Sequence, residues 1–214
     1  MKSLLLSFFI LAITTTSMAQ SSQNVSTAKS GSVTSTDKSR GFKVGLVYSN
    51  LTDSSNKTSG TVSTQYGDVS YDSTSHSGGH IGLMGINAGY KNKYLFGSMF
   101  GFDTSASILK AINGSEFETK VTVYKVQGAG TISFADMFSF VGGLNVSYFG
   151  ELASEGVEVQ PGVGFDAGLQ ADLSNGLSIL AGMQALGLTM KQKNEDFKSE
   201  TLVNGFITQI SYTF

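Results

Sequence analysis

Residue types that can carry out nucleophilic catalysis lie close together in one Ser/Gly-rich segment of the chain. His76 and His80 flank a Ser-Gly-Gly sequence, and Asp72 precedes them. A serine activated by a histidine that has an acidic partner is the arrangement used for covalent hydrolysis. The segment shows no hydrolase motif, however, and two histidines without further ligands do not form a metal site. We therefore predict no catalytic residue, no metal and no cofactor.

A second set of polar side chains alternates with apolar residues in several segments. Successive residues of a β-strand point to opposite faces, so these polar residues share the face opposite to the apolar one. In a closed barrel with its apolar face outward, they would line the lumen. They would form either a narrow polar pore or a network of ion pairs and amides that fills the lumen, and a small bore favours the network. The predicted lumen residues are Lys43, Lys125, Asp166, Gln160, Gln170, Gln184 and Gln209.

The clearest alternation runs through residues 157–173. Its odd positions are apolar from Val157 to Leu173, and its even positions are charged residues, amides or glycines. An amphipathic helix would instead place an apolar residue every three or four positions. Pro161 removes one hydrogen bond from the ladder, so we place it near the outer rim of the barrel. The segment predicts a strand with one wholly apolar face.

The same period of two recurs along the chain and predicts eight antiparallel strands. The turns at residues 91–93, 135–137 and 175–176 are short, whereas the other connections are longer, and the first spans residues 50–79. Short turns on one side and longer loops on the other are typical of outer-membrane barrels, in which the short turns face the periplasm. Asn113-Gly114 marks a further hairpin. The predicted strands are residues 41–49, 80–90, 94–109, 117–134, 138–148, 157–173, 177–190 and 202–214.

The last of these strands ends the chain on an aromatic residue. Chain ends of soluble proteins are usually polar and frayed. Here the alternate positions back from the end are apolar or threonine, and the ending resembles the closing strand of bacterial outer-membrane β-barrels, which the barrel-assembly machinery recognises. We expect residues 202–214 to pair with residues 41–49 and so remove the free edges of the sheet. The resemblance implies an assembly signal formed by Phe206, Ile210, Tyr212 and Phe214.

Composition excludes several classes of protein. Only 14% of the residues are charged, compared with about 25% in a typical soluble domain, and a hydrophobic content of 40% is too low for a bundle of membrane helices. The net charge of -2 gives no basic surface for nucleic acid, and the absence of cysteine removes disulfides and thiol chemistry. The predicted outward faces carry no charge, which favours contact with lipid over a soluble ligand-binding barrel or a β-sandwich.

Aromatic residues cluster at both ends of the predicted strands, as in the interfacial girdles of membrane barrels. The pattern therefore predicts two membrane interfaces. The predicted periplasmic girdle contains Phe42, Tyr90, Tyr94, Phe134, Phe138, Tyr212 and Phe214, and the predicted outer girdle contains Tyr48, Phe102 and Tyr148.

The first residues predict export across the inner membrane. Lys2 precedes an apolar run at residues 4–13, and Ser17-Met18-Ala19 supplies small residues for a cleavage site. The run is shorter than the roughly 20 apolar residues of a transmembrane helix. Residues 20–40 are almost all small or polar and cannot bury a face. We predict a cleaved signal peptide at residues 1–19, a disordered periplasmic linker at 20–40 and a barrel at 41–214.

Together these features resemble the small eight-stranded outer-membrane β-barrels of the OmpA, OmpX and opacity type. The resemblance implies an all-β, antiparallel up-and-down transmembrane barrel in the outer membrane of a bacterium, in contact with lipid and lipopolysaccharide. It implies a structural or surface-interaction role, such as adhesion to a host cell or matrix, with residues 50–79 as the contact for an extracellular ligand. The alternatives are a narrow porin-like diffusion channel and an outer-membrane enzyme. We predict that the chain is not an enzyme.

Overall fold

The computed structural model describes residues 40–92, 100–114, 121–150, 152, 157–173, 175–192 and 196–214. The predicted signal peptide and almost all of the predicted linker lie outside these residues, as do Tyr94 and the predicted start of the fourth strand.

Eight antiparallel strands form one closed barrel in which each strand pairs with its neighbours in sequence and the last pairs with the first. This confirms the predicted fold class, an eight-stranded antiparallel up-and-down barrel. Closure satisfies the backbone groups that an open sheet would leave at its edges. The strands are β1 (Arg40–Thr64), β2 (Gly67–Asn92), β3 (Phe100–Gly114), β4 (Thr122–Ser133), β5 (Phe138–Gly150), β6 (Val157–Asp172), β7 (Leu177–Gln192) and β8 (Asp196–Thr213).

The register of the strands sets the width of the barrel. A path along paired residues that leaves β5 at Ser139 and follows the ring through Val47 returns to β5 at Phe149, ten residues further on. This stagger tilts the strands steeply against the barrel axis, and eight strands then enclose a lumen that side chains can fill.

The two ends of the barrel differ. One end, here the turn end, carries the connection at residues 134–137 and the hairpin around Asn175 and Gly176, where the positive φ of Gly176 (90°) suits a residue without a side chain. The opposite end, here the hairpin end, carries the long β1–β2 hairpin. The short turns at 135–137 and 175–176 therefore lie where the sequence predicts them.

The prediction of a long loop at residues 50–79 is wrong. Residues 50–64 belong to β1 and residues 67–79 to β2, with a turn at residues 65–66, and the two strands continue as a ladder from Asp53 paired with Gly78 to Thr64 paired with Gly67. These strands were not recognised because serine and threonine occupy both faces, so the apolar alternation that marks a strand in lipid is absent.

Two predicted turns are also wrong. Lys91 and Asn92 belong to β2 and pair with Asp103 and Phe102, so the connection to β3 lies beyond them and outside the described residues. Asn113 is part of β3 and pairs with Gly82. Phe102 consequently lies at the turn end, opposite to the girdle in which the sequence placed it.

The barrel is apolar outside and largely polar inside. Phe42 and Leu144 are 65% and 68% exposed, whereas Lys43 and Asn145, their neighbours in sequence, are buried. Aromatic pairs lie at both ends of the apolar belt, with Phe42 against Tyr90 at the turn end (ring centroids 5.9 Å apart) and Tyr124 against Tyr148 at the hairpin end (6.4 Å). A surface of this kind is stable against hydrocarbon and not against water.

Candidate functional site

Three ion pairs between described residues lie in the lumen of the barrel. Lys43 of β1 donates to both carboxylate oxygens of Asp103 on β3, at 2.6 and 2.5 Å. Lys91 of β2 pairs with Asp172 of β6, and Lys125 of β4 pairs with Asp166 of β6. Each pair joins strands that are not neighbours, so the side chains bridge the lumen and tie its walls together.

The pair between Lys125 and Asp166 has further partners. Its Nζ–Oδ1 distance is 3.2 Å, and the two side chains are only 2% and 3% exposed. Asn145 donates from Nδ2 to the second carboxylate oxygen of Asp166 at 2.9 Å, and Lys125 also donates to Oε1 of Gln184 at 3.4 Å. Buried charges are tolerated when they are paired and hydrogen-bonded in this way.

The pair at the turn end is similarly surrounded. The same carboxylate oxygen of Asp172 accepts from Lys91, from Nε2 of Gln170 at 2.8 Å and from the hydroxyl of Ser178 at 2.7 Å. Because β2 and β6 stand on opposite sides of the eight-stranded ring, this cluster crosses the turn end of the lumen.

The structure places most of the predicted lumen residues inside the barrel. The buried ones are Lys43, Lys125, Asp166, Gln170, Gln184 and Gln209. The sequence did not identify Lys91, Asp103 and Asn145 as partners. Lys91 lies in a segment that the sequence predicts as a turn. The partners of the other charged residues lie on strands that are distant in sequence, and the alternation within one strand does not show which strands meet across the lumen.

Gln160 is the exception, and its predicted position in the lumen is wrong. The pairing of β6 with β7 is irregular between Pro161 and Phe165, where a bulge reverses the alternation. On the far side of this bulge Val159 points inward and is 3% exposed, whereas Gln160 lies outward beside Glu158. Pro161 itself is exposed near the hairpin end, where a missing backbone donor is tolerated.

The hairpin half of the lumen is filled by aliphatic side chains, which the sequence did not predict. Leu51, Leu83, Leu109, Leu186 and Ile207 are each at most 2% exposed and belong to one cluster of buried apolar residues. These residues lie on the same inward face as the polar residues. The sequence pattern marks the outward face as apolar and the inward face as polar, so it does not identify apolar residues on the inward face. The interior thus consists of an ion-pair layer towards the turn end and an apolar layer towards the hairpin end.

Beyond the apolar layer, β1, β2 and β8 continue as a sheet extension. It comprises residues 53–64 of β1, their partners 67–78 of β2, and residues 196–204 of β8, which pair with β1 as far as Thr61. A strand paired on both sides holds its shape better than an open loop, because its backbone hydrogen bonds are satisfied.

The two faces of the extension differ in charge. The inner face, defined as Ser54, Asn56, Thr58 and Gly60 with their partners in β2 and β8, carries no charged residue. Val203, the β8 partner of Ser54, packs against the apolar cluster of the lumen, so this face continues the inside of the barrel.

The outer face carries ion pairs instead. Lys57 lies 3.6 Å from Asp72, and Lys198 pairs with Glu200. The hydrogen bond from Lys198 and its positive charge lower the pKa of the Glu200 carboxyl.

His76 lies on this extension and His80 lies just beyond it in β2, and neither histidine forms a hydrolytic arrangement with a serine and an aspartate. Asp72 and His76 are on the outer face four positions apart, or about 13 Å along a strand. Ser77, which follows His76, points to the inner face and bonds to Ser54 at 2.8 Å. No group of three or more potential metal-ligating side chains occurs within the described parts of the chain.

The four residues of the predicted assembly signal lie on the outward side of β8. Phe206 is 62%, Ile210 47% and Phe214 68% exposed, and the ring of Tyr212 packs edge-on against Phe214 at 5.0 Å. The backbone N–H of Phe214 donates to the carbonyl of Phe42 at 2.8 Å. The last residue therefore completes the seam between β8 and β1.

A closed eight-stranded barrel with a predominantly apolar outer belt, aromatic residues at its two ends and buried ion pairs inside defines a small transmembrane β-barrel. Among the residues that the structure describes, none forms a helix long and apolar enough to cross a membrane.

Comparison with known proteins gives neighbours at the level of the fold. No protein-family model matches the chain, and no curated protein matches it. Neisserial surface protein A is similar at 14% identity over 81% of this chain and 97% of its own, with a TM-score of 0.38. The outer membrane protein OprG from Pseudomonas aeruginosa is 14% identical over 81% and 96%, with a TM-score of 0.42.

The outer membrane protease OmpT from Escherichia coli is also similar, at 8% identity over 87% of this chain and 99% of its own, with a TM-score of 0.39. The similar structures thus include a surface protein and a protease. Because the identities and TM-scores are low, no function is taken from these proteins.

Proposed function

We propose that the chain is a non-enzymatic, non-conducting protein of a bacterial outer membrane that holds the sheet extension outside the cell for contact with an extracellular partner. The observation that carries this proposal is the division of the molecule into three layers. An apolar belt suits the bilayer, a filled lumen suits an anchor, and a hydrogen-bonded polar sheet projects beyond the belt.

The orientation follows from the asymmetry of the two ends. In outer-membrane barrels the short turns face the periplasm and the longer connections face outward. The turn end would therefore face the periplasm, and the extension would stand outside. Lipid and lipopolysaccharide would surround the belt, and the barrel-assembly machinery would recognise the strand that ends at Phe214.

The filled lumen supports an anchor over a channel. Ions crossing the barrel would have to pass the aliphatic layer around Leu109 and Leu186, which offers no hydrogen bonds to replace their hydration shells. The ion pair between Lys91 and Asp172 crosses the lumen at the other end. A narrow porin-like diffusion channel is the alternative, and conductance separates the two.

Site-specific labelling tests the orientation, because the chain contains no cysteine. Tyr66→Cys places a thiol at the tip of the hairpin, and Met137→Cys places one at the turn end. In intact cells, a membrane-impermeant maleimide should label Tyr66→Cys and should label Met137→Cys only after the cells are broken. Labelling of Met137→Cys alone in intact cells would reverse the orientation and refute the proposal.

Planar-bilayer recording of the purified barrel tests conduction. We expect no sustained channels of defined size. Sustained channels would refute the anchor proposal and support the diffusion channel.

Shortening the hairpin tests the contact role. Asp53 and Gly78 face each other in the ladder, so deletion of residues 54–77 and a direct join of these two residues leaves the barrel pairs below them intact. Cells that carry the shortened protein should keep a folded, heat-modifiable barrel but lose attachment to matrix-coated surfaces. Equal attachment by the complete and shortened proteins would contradict a role for the extension.

A further inference from the structure

We propose that the inner face of the sheet extension binds a neutral glycan. This inference rests on the proposed function, because it assumes that the extension stands outside the cell. It adds a binding site and a ligand class to that function.

The first argument is the regular arrangement of hydroxyl and amide groups on the inner face. Ser54, Asn56 and Thr58 are consecutive inner-face residues of β1, and each lies between a residue of β2 and one of β8. Paired residues on neighbouring strands are about 4.8 Å apart, and successive residues on the same face of one strand are about 6.7 Å apart. Hydroxyls both donate and accept hydrogen bonds, as the hydroxyls of a sugar do.

Some of these groups are already oriented by one another. The side-chain oxygen of Asn56 accepts from the hydroxyl of Ser199 at 2.7 Å and from that of Thr201 at 3.4 Å. Ser54 and Ser77 bond to each other at 2.8 Å. Fixed side chains lose less conformational entropy when a ligand binds.

The second argument is an aromatic residue on each side of a glycine at the far end of the same face. In the row at Gly60, the partner on β2 is Tyr71 and the partner on β8 is Phe197. Tyr71 is 50% exposed. The rings start from backbones about 10 Å apart, with no side chain between them at Gly60. A sugar ring offers C–H groups on its face and hydroxyls at its rim, so it could pack against these rings and bond to the adjoining hydroxyl rows.

The third argument is charge. The inner face carries no ionisable carboxylate or amine, whereas the outer face of the same three strands carries Lys57, Asp72, Lys198 and Glu200. A sulfated or carboxylated glycan would find no cation on the inner face, so these residues favour an uncharged ligand.

A protein strand is the competing partner. Residues 67–78 of β2 pair with β1 on one side, and within the described residues no strand pairs with their other edge, since β3 joins only from Ile81. A strand added there would bind through backbone groups and would not require the aromatic pair. The experiment therefore has to separate the face from the edge.

The test uses the full chain in detergent micelles, with maltohexaose, cellohexaose and chitohexaose as neutral probes and a heparin hexasaccharide as the charged probe. Binding is measured by calorimetry and by saturation-transfer NMR. We expect at least one neutral probe to bind and the heparin probe not to bind. Tyr71→Ala and Phe197→Ala should each weaken binding by about two- to tenfold.

A matched pair of substitutions controls for effects on the fold. Gly60→Val fills the space between the two rings and should abolish binding, whereas Ser59→Val makes a similar change one position away on the outer face and should leave it unchanged. Both variants are first checked for heat-modifiable mobility.

The inference is overturned if no neutral probe binds, if only the heparin probe binds, or if Gly60→Val and Ser59→Val have equal effects. Failure of all glycan probes together with labelling of Tyr66→Cys in intact cells would reject the glycan site and leave the proposed function standing. Failure of that labelling would reject the proposed function itself.

Discussion

Replacement of Lys125 by methionine should destabilise the barrel strongly. The substitution keeps an unbranched side chain, one atom shorter, but removes the charge that pairs with Asp166 at 3.2 Å. Asp166, which is almost fully buried, would then be left without its cationic partner. Asn145 would still donate to it at 2.9 Å, which offsets part of the loss.

The size of the effect follows from this burial. Removing one partner of a buried ion pair costs about 3 to 5 kcal/mol. With the Asn145 hydrogen bond retained we expect the low end, about 3 kcal/mol, which is roughly a hundredfold in the unfolding equilibrium. In the double variant Lys125→Met/Asp166→Asn no charge is left unpaired, so more than about half of the loss should be recovered.

Urea unfolding in detergent micelles measures these values, with the folded fraction read from the gel mobility of unheated samples. Lys198→Met serves as the control, because its pair with Glu200 is 43% and 54% exposed and surface pairs contribute less than about 1 kcal/mol. A loss below about 1 kcal/mol for Lys125→Met, or a double variant as unstable as the single one, would refute the assignment of this pair as a stabilising, charged network.

Two further substitutions test the packing of the wall and the closing strand. Gly85→Ala should prevent folding, since the added methyl group would collide with the backbone carbonyl of Ile108. Gly128→Ala meets open space on the outward side of the barrel and should raise the stability by about 0.5 to 1 kcal/mol. Equal gel mobility shifts for the two variants would contradict this prediction. Phe214→Ser should lower the amount of folded protein in the outer membrane of cells but not folding of the purified chain in micelles, because the backbone N–H that bonds to Phe42 remains; equal losses in both measurements would argue against an assembly signal.

The period of two in the sequence was sufficient to predict the barrel and its outward face. It works where lipid forces one side of each strand to be apolar, as from Phe42 to Tyr48. It fails in the sheet extension, where serine and threonine occupy both faces and no apolar face marks the strands. The sheet extension was therefore predicted as a loop.

The interior was predictable only in part. A buried position such as Asp166 follows from alternation, but its partner Lys125 lies two strands away in the ring, and only the register of the closed barrel brings them together. The bulge at Pro161 reverses the faces of residues 157–160, and a proline in a strand signals an irregularity without showing its direction. The aliphatic layer lies on the same inward face as polar residues, so the alternation of apolar and polar positions does not identify it.

The hydrogen bond between the last residue and Phe42 has a consequence for the order of events in the cell. The seam joins β1 and β8, so closure of the ring has to wait until β8 has been synthesised. Contacts between such distant parts of a sequence form slowly. Throughout that interval the barrel is not closed, and the edges of its strands can pair with other chains.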